Sequence, residues 1–141
     1  MTISRIKIRL LAFLPLLILV AAAFFLLLLA AADSDVTTRF ATVQEARSEG
    51  AFERGWLPPV LPESARNIVE TNDLDSNQGH GTFQFDASDY VPFVELLSPV
   101  APEAASREWG AYTGKGYRIF AYEPRWTLAL HPRGDGYYTV R

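Results

Sequence analysis

The chain has 141 residues, no cysteine, and 13 basic against 16 acidic side chains. The missing thiols exclude disulfides, thiol catalysis and thiolate metal sites. With Arg5, Lys7 and Arg9 set aside, 10 basic and 16 acidic residues remain, a net charge of −6. That sign argues against a nucleic-acid partner, whose phosphates call for a basic face.

Residues 1–9 form a basic leader carrying Arg5, Lys7 and Arg9. Residues 10–32 follow as 23 residues without a charged or strongly polar side chain. At about 1.5 Å of rise per residue such a helix reaches roughly 34 Å, enough to cross a hydrocarbon core of about 30 Å. A transmembrane helix is expected here, with the lipid bilayer as its partner. The basic leader and the acidic Asp33 and Asp35 place the N-terminus inside and residues 33–141 outside. Ala30-Ala31-Ala32 also suits a signal-peptide cleavage site, but signal h-regions run about 7–15 residues and this stretch is longer. Length therefore favours a retained signal anchor. Residues 33–141 are the right size for one exported domain with its own core.

Thr37 to Thr42 reads as extended or linker-like. Thr42-Val43-Gln44-Glu45 fits a capping box, and Gly50 is a natural stop for the short helix between them. Gly55 to Pro62 holds three prolines and excludes regular structure, leaving Trp56 and Leu57 to pack on the domain. Pro62 to Ala65 can make one helical turn. Asn67 to Glu70 and Gly81 to Phe85 read as paired strands across a polar loop. Asp89 is placed to cap a second helix, in which Tyr90, Phe93, Val94 and Leu97 share one face and Pro92 sits in the first turn. Ser98-Pro99 ends it.

Four aromatic-rich runs follow, at 108–113, 117–123, 126–131 and 137–141, separated by turn residues. Their short connections predict an antiparallel β-meander, with Trp126, Leu128 and Leu130 on the buried face. Aromatics also alternate onto the other face, which must meet either the helices or a partner. The fold class expected is α+β: an N-terminal transmembrane helix, then one small domain with an antiparallel meander and two short helices on one face.

No serine nucleophile elbow, zinc-protease helix or Gly-rich phosphate loop is present, so no catalytic residue and no cofactor are assigned. Asp73, Asp75 and Asn77 alternate like the opening of a calcium loop. Gln78 and Gln84, however, stand where that loop needs a glycine and a bidentate glutamate. Asx-turns explain the same residues. His80 and His131 are the only histidines; His80 belongs to the same polar stretch, and His131 is expected to hydrogen-bond at a turn. Arg133-Gly134-Asp135 spells an adhesion tripeptide, which turn geometry accounts for. The candidate binding residues are Asp73, Asp75, Asn77, His80 and Trp56, with no metal site assigned.

The block running from Arg54 through Gly55-Trp56-Leu57-Pro58 to Ile68, with Asp73-Leu74-Asp75-Ser76-Asn77 after it, resembles that of small bacterial single-pass membrane proteins. The resemblance implies an inner-membrane protein whose C-terminal domain faces the periplasm. It carries no activity. Together these readings favour a non-catalytic binding module with an envelope protein as partner. The alternative is an envelope enzyme or metal-dependent factor using Asp73, Asp75 and His80.

Overall fold

The structure, a computed structural model, describes residues 15, 18–26, 35–101 and 107–141. Residues 1–34 and 35–141 are separate units. In the first, residues 18–26 are helical, and Ile18, Leu19, Val20, Phe24, Phe25 and Leu26 are exposed. No helix among the described residues is long and apolar enough to cross a membrane. The leader at 1–9 and most of the span expected at 10–32 lie outside the described residues.

Residues 35–141 form a seven-stranded sheet in the order β1-β2-β3-β7-β6-β5-β4, antiparallel throughout. The strands are β1 (Asp35–Thr42), β2 (Arg66–Asp73), β3 (Gln78–Gln84), β4 (Ser98–Pro99), β5 (Arg118–Tyr122), β6 (Trp126–His131) and β7 (Asp135–Val140). The helices are α1 (Val43–Ser48), α2 (Tyr90–Glu95) and α3 (Arg107–Thr113), with one 3₁₀ turn at Ala87–Asp89. The domain is therefore α+β with an antiparallel sheet. The expected pairing of the strands at 67–70 and 81–85 forms as β2 with β3, three of the four expected runs form the antiparallel β5-β6-β7, and pairing of β3 with β7 joins the two into one sheet.

Side-chain alternation divides the sheet into two faces. Phe40, Ile68, Phe83, Phe120, Trp126, Leu128, Leu130, Tyr138 and Val140 share the inner face, which for Trp126, Leu128 and Leu130 is the expected one. α1 contributes Val43 and Ala46 to this core, and α2 contributes Tyr90 and Phe93. The Thr42 hydroxyl accepts from the Glu45 amide at 3.2 Å, and the Glu45 carboxylate accepts from the Ala41 amide. Gly50 follows α1 with φ +73°. Leu57 and Leu61 of the proline-rich segment are buried in the same core.

Three expectations need correction. The segment 108–113 is α3, not a strand. Trp109 and Tyr112, three apart, suit a helical stripe, and Gly110 and Gly114 weaken any strand there. As a helix the segment lays Trp109 over Ile119 and Ala129 on the outer face, so helices cover both faces and not one. Of the two readings of Thr37–Thr42 the extended one holds and the linker one falls: it belongs to β1, an edge strand in register with β2 from Asp35↔Asp73 to Thr42↔Arg66. Asp89 does not cap α2 through its side chain; its carboxylate accepts the Ser64 hydroxyl at 2.5 Å instead.

Candidate functional site

The β2–β3 hairpin turns through Leu74–Asn77, with Asn77 at φ +54°. Asp73 builds this turn. One of its carboxylate oxygens accepts from the Asp75 amide at 2.9 Å and the Ser76 amide at 3.4 Å, and the other accepts the Ser76 hydroxyl at 2.6 Å. Local backbone thus engages the oxygens a cation would need. No group of three or more His, Cys, Asp or Glu suited to a metal ion occurs among the described residues.

The five candidate residues do not converge. Asp73 and His80 line one groove of about 310 Å³ on the outer face. Asn77 and Trp56 line a hollow of about 50 Å³, which Asp73 also borders. Asp75 lies exposed in the turn and lines neither. Trp56 is half-buried, with the Arg54 guanidinium 4.4 Å above its ring. His131 behaves as a turn residue: its Nδ1 accepts from the Arg133 amide at 3.1 Å. In the same turn Gly134 has φ +95°, and a Cβ there would come within 2.1 Å of the Phe85 carbonyl oxygen. Geometry accounts for the adhesion-like tripeptide.

The outer face is covered unevenly. α3 shields β5 and β6, where Trp109 packs on Ile119 and Ala129. Beyond Tyr137 the face is open. A second groove, of about 320 Å³, lies against α3 and is lined by Asn67, Thr82, Gln84, Tyr112, Tyr117, Asp135 and Tyr137. Tyr137 also lines the first groove, so the two lie on either side of this residue along β3 and β7, and together they are called the trough. Its rings are fixed by mutual contact. Tyr112 stacks on Tyr137 at 4.8 Å and meets Tyr117 edge-on at 5.5 Å, and Trp109 stands 5.6 Å from Tyr137. Burial and the Asp135 charge both push the Tyr117 hydroxyl upward, so it stays neutral. A register shift between Arg66 and Val69 puts Asn67 at φ +49°, and its amide donates to Gln84 Oε1 at 2.8 Å. Bulges of this kind re-aim a side chain.

Behind the sheet lies a second unusual feature. Glu70, on the inner face between Ile68 and Asn72, is fully buried. Neither of its carboxylate oxygens has a hydrogen-bond partner, and Asn72 Nδ2 has none either. Burial pushes the carboxyl up to about 7, against smaller opposing effects of the Arg54 charge and the nearby Asn72 amide. Tyr138 lies beside it with its hydroxyl donating to the Trp56 carbonyl at 3.2 Å. Burial and the Glu70 charge raise that phenol further, so it stays neutral.

Residues 35–84 match the family model of the YbbD head domain. The similarity to the YbbD head domain spans β1 through β3. It therefore includes Trp56, Glu70, Asp73, Asp75, Asn77 and His80, and leaves out α3 and Tyr137. No match is found among curated proteins or among solved structures.

Glu70 and the trough were not singled out by sequence reasoning. The signal for Glu70 was parity: Ile68, Glu70 and Asn72 alternate along one strand, so a buried Ile68 carries the carboxylate inward. For the trough the signal was the aromatic surplus on the second face. Reading α3 as a strand hid which part of that face is covered.

Proposed function

We propose that residues 33–141 form a non-catalytic binding module held at the outer face of a bacterial inner membrane by a signal anchor at residues 10–32. Anchor length, the basic leader and the likeness of the Trp56 block to membrane-anchored proteins support the tether. The observation that carries the binding role is the trough. It is concave, with polar groups beside aromatic rings, and those rings are locked by their neighbours, which lowers the ordering cost of binding. The enzyme alternative requires Asp73, Asp75 and His80 to converge, and Asp75 stands apart from the groove that holds the other two.

Site-specific photocrosslinking in intact cells tests this. A photoreactive residue at Thr82, in the trough, is expected to trap a partner or envelope component. The same residue at Glu95, on α2 behind the sheet, is not. Equal labelling at both positions, or none at Thr82, refutes the reading. Protease added to the outer face should digest residues 33–141 and spare the leader.

A further inference from the structure

We infer that the trough along β3 and β7 takes a neutral polyhydroxylated chain, an oligosaccharide, laid across Tyr137. This rests on the binding-module reading and names its ligand class. Pyranose rings present apolar C–H faces and equatorial hydroxyls that both donate and accept. A site for them needs aromatic surface beside planar polar groups, and the trough supplies both. Tyr112, Tyr117 and Tyr137 line it as half-buried rings, with Asn67, Gln84 and Asp135 alongside. An amide offers donor and acceptor together, and a carboxylate accepts twice. Past Tyr137 the lining continues with Thr71, His80 and Thr139, again hydroxyl and imidazole groups.

Other ligand classes fit less well. Peptides that add a strand need a free sheet edge, whereas β3 lies between β2 and β7, and β7 between β3 and β6. The backbone groups under the trough are already paired. An amphipathic helix needs a continuous apolar groove, whereas the groove past Tyr137 is mainly polar and the one beside α3 interrupts its tyrosine rings with Asn67, Gln84 and Asp135. Polyanions, nucleic acid among them, would meet Asp73 and Asp135 at the two ends of the trough on a domain of net charge −6. β3 spans seven residues, roughly 20 Å, so an extended chain of several sugars can lie along it.

The test uses the full chain in dodecylphosphocholine micelles, which carry no sugar of their own. Trp109, 5.6 Å from Tyr137, gives a fluorescence readout. The probes are chitotetraose, cellotetraose, maltotetraose, heparin and an uncharged heptapeptide. At least one neutral tetrasaccharide is expected to bind saturably. Tyr137→Ala should weaken it about tenfold or more, as truncating an aromatic anchor does. Gln84→Ala, at an exposed position that leaves the core intact, should weaken it several-fold. Val91→Ala, on α2, should change nothing. Binding that both trough variants leave unaltered overturns the placement. Preference for heparin or the peptide overturns the ligand class. If no tetrasaccharide binds while Thr82 still crosslinks to a partner, the saccharide inference fails and the binding module stands. Absence of both removes the two together.

Discussion

Glu70 makes the stability of the domain depend on pH in the direction opposite to an ordinary paired carboxylate. Its carboxyl titrates at about 7 in the folded chain and near 4.5 when exposed. The folded state therefore holds a proton that the unfolded state has released, and stability falls as pH rises between those values. At 1.36 kcal/mol per pH unit, the charged form costs about 3 kcal/mol, an order-of-magnitude figure that already includes the easing by the Arg54 charge. Against a typical domain stability of about 5–15 kcal/mol that is a large share. Urea unfolding of residues 35–141 followed by tryptophan fluorescence should show stability about 2–3 kcal/mol lower at pH 8 than at pH 5. Glu70→Gln keeps the shape and removes the titration. The variant should lose this fall, whatever its absolute stability, since a buried amide brings its own unsatisfied donors. Exposed pairs such as Arg47 with Glu63 titrate equally in both proteins and cancel. An unchanged pH dependence in Glu70→Gln, or a wild-type stability that rises from pH 5 to 8, refutes the reasoning.

Trp109→Ala uncovers Ile119 and Ala129 and should cost about 3 kcal/mol in urea unfolding, with a larger relative effect on the trough side than on the inner core in hydrogen exchange. Gly81→Ala places a Cβ 2.5 Å from the Val69 carbonyl oxygen and 2.6 Å from the Tyr138 ring, so about 2 kcal/mol or more should be lost, measured the same way. Thr42→Ala removes the acceptor for the Glu45 amide and should cost about 1 kcal/mol. Calcium added in a calorimeter should give no heat, because Asp73 already accepts from Asp75 and Ser76.

Local chemistry was legible where one short stretch decides the outcome. Thr42 with Glu45, the helix from Tyr90, the Trp126–His131 strand and the turns at Glu123–Arg125 and Pro132–Gly134 all follow from neighbours within a few residues. Pairing of β3 with β7 brings Gly79 beside Val140 and Gln84 beside Asp135, contacts some fifty to sixty residues apart that no local pattern encodes. The segment at 108–113 failed for a related reason. Aromatic and β-prone residues there matched a strand template, but β5 already has β4 and β6 as its two neighbours. With both sides of that strand taken, the segment packs on the face instead, and a helix is the form that buries Trp109 there. Asp73 and Asp75 illustrate the limit for the site. Alternation in sequence suggests convergence, whereas the turn puts the Asp73 oxygens on backbone amides and leaves Asp75 outside the groove.

The division of labour between the two faces explains why both unusual features occur where they do. The inner face must be dry, so a carboxylate that alternation forces inward at Glu70 is buried near Tyr138 and holds its proton up to about pH 7. The outer face needs cover only where its residues are apolar, and Ile119 and Ala129 of β5 and β6 are met by α3. Across β7 the outward positions become polar, with His80, Thr82 and Gln84 exposed and Thr71 bonded to the Thr37 hydroxyl at 2.8 Å, so this half of the face needs no apolar cover. Tyr137 sits on the boundary, packed by Tyr112 and Trp109 on one side and lining both grooves on the other. A ring in that position is held rigid by the covered half and presented to the open half. The helix that repairs the apolar side of the sheet thereby builds the wall of the trough.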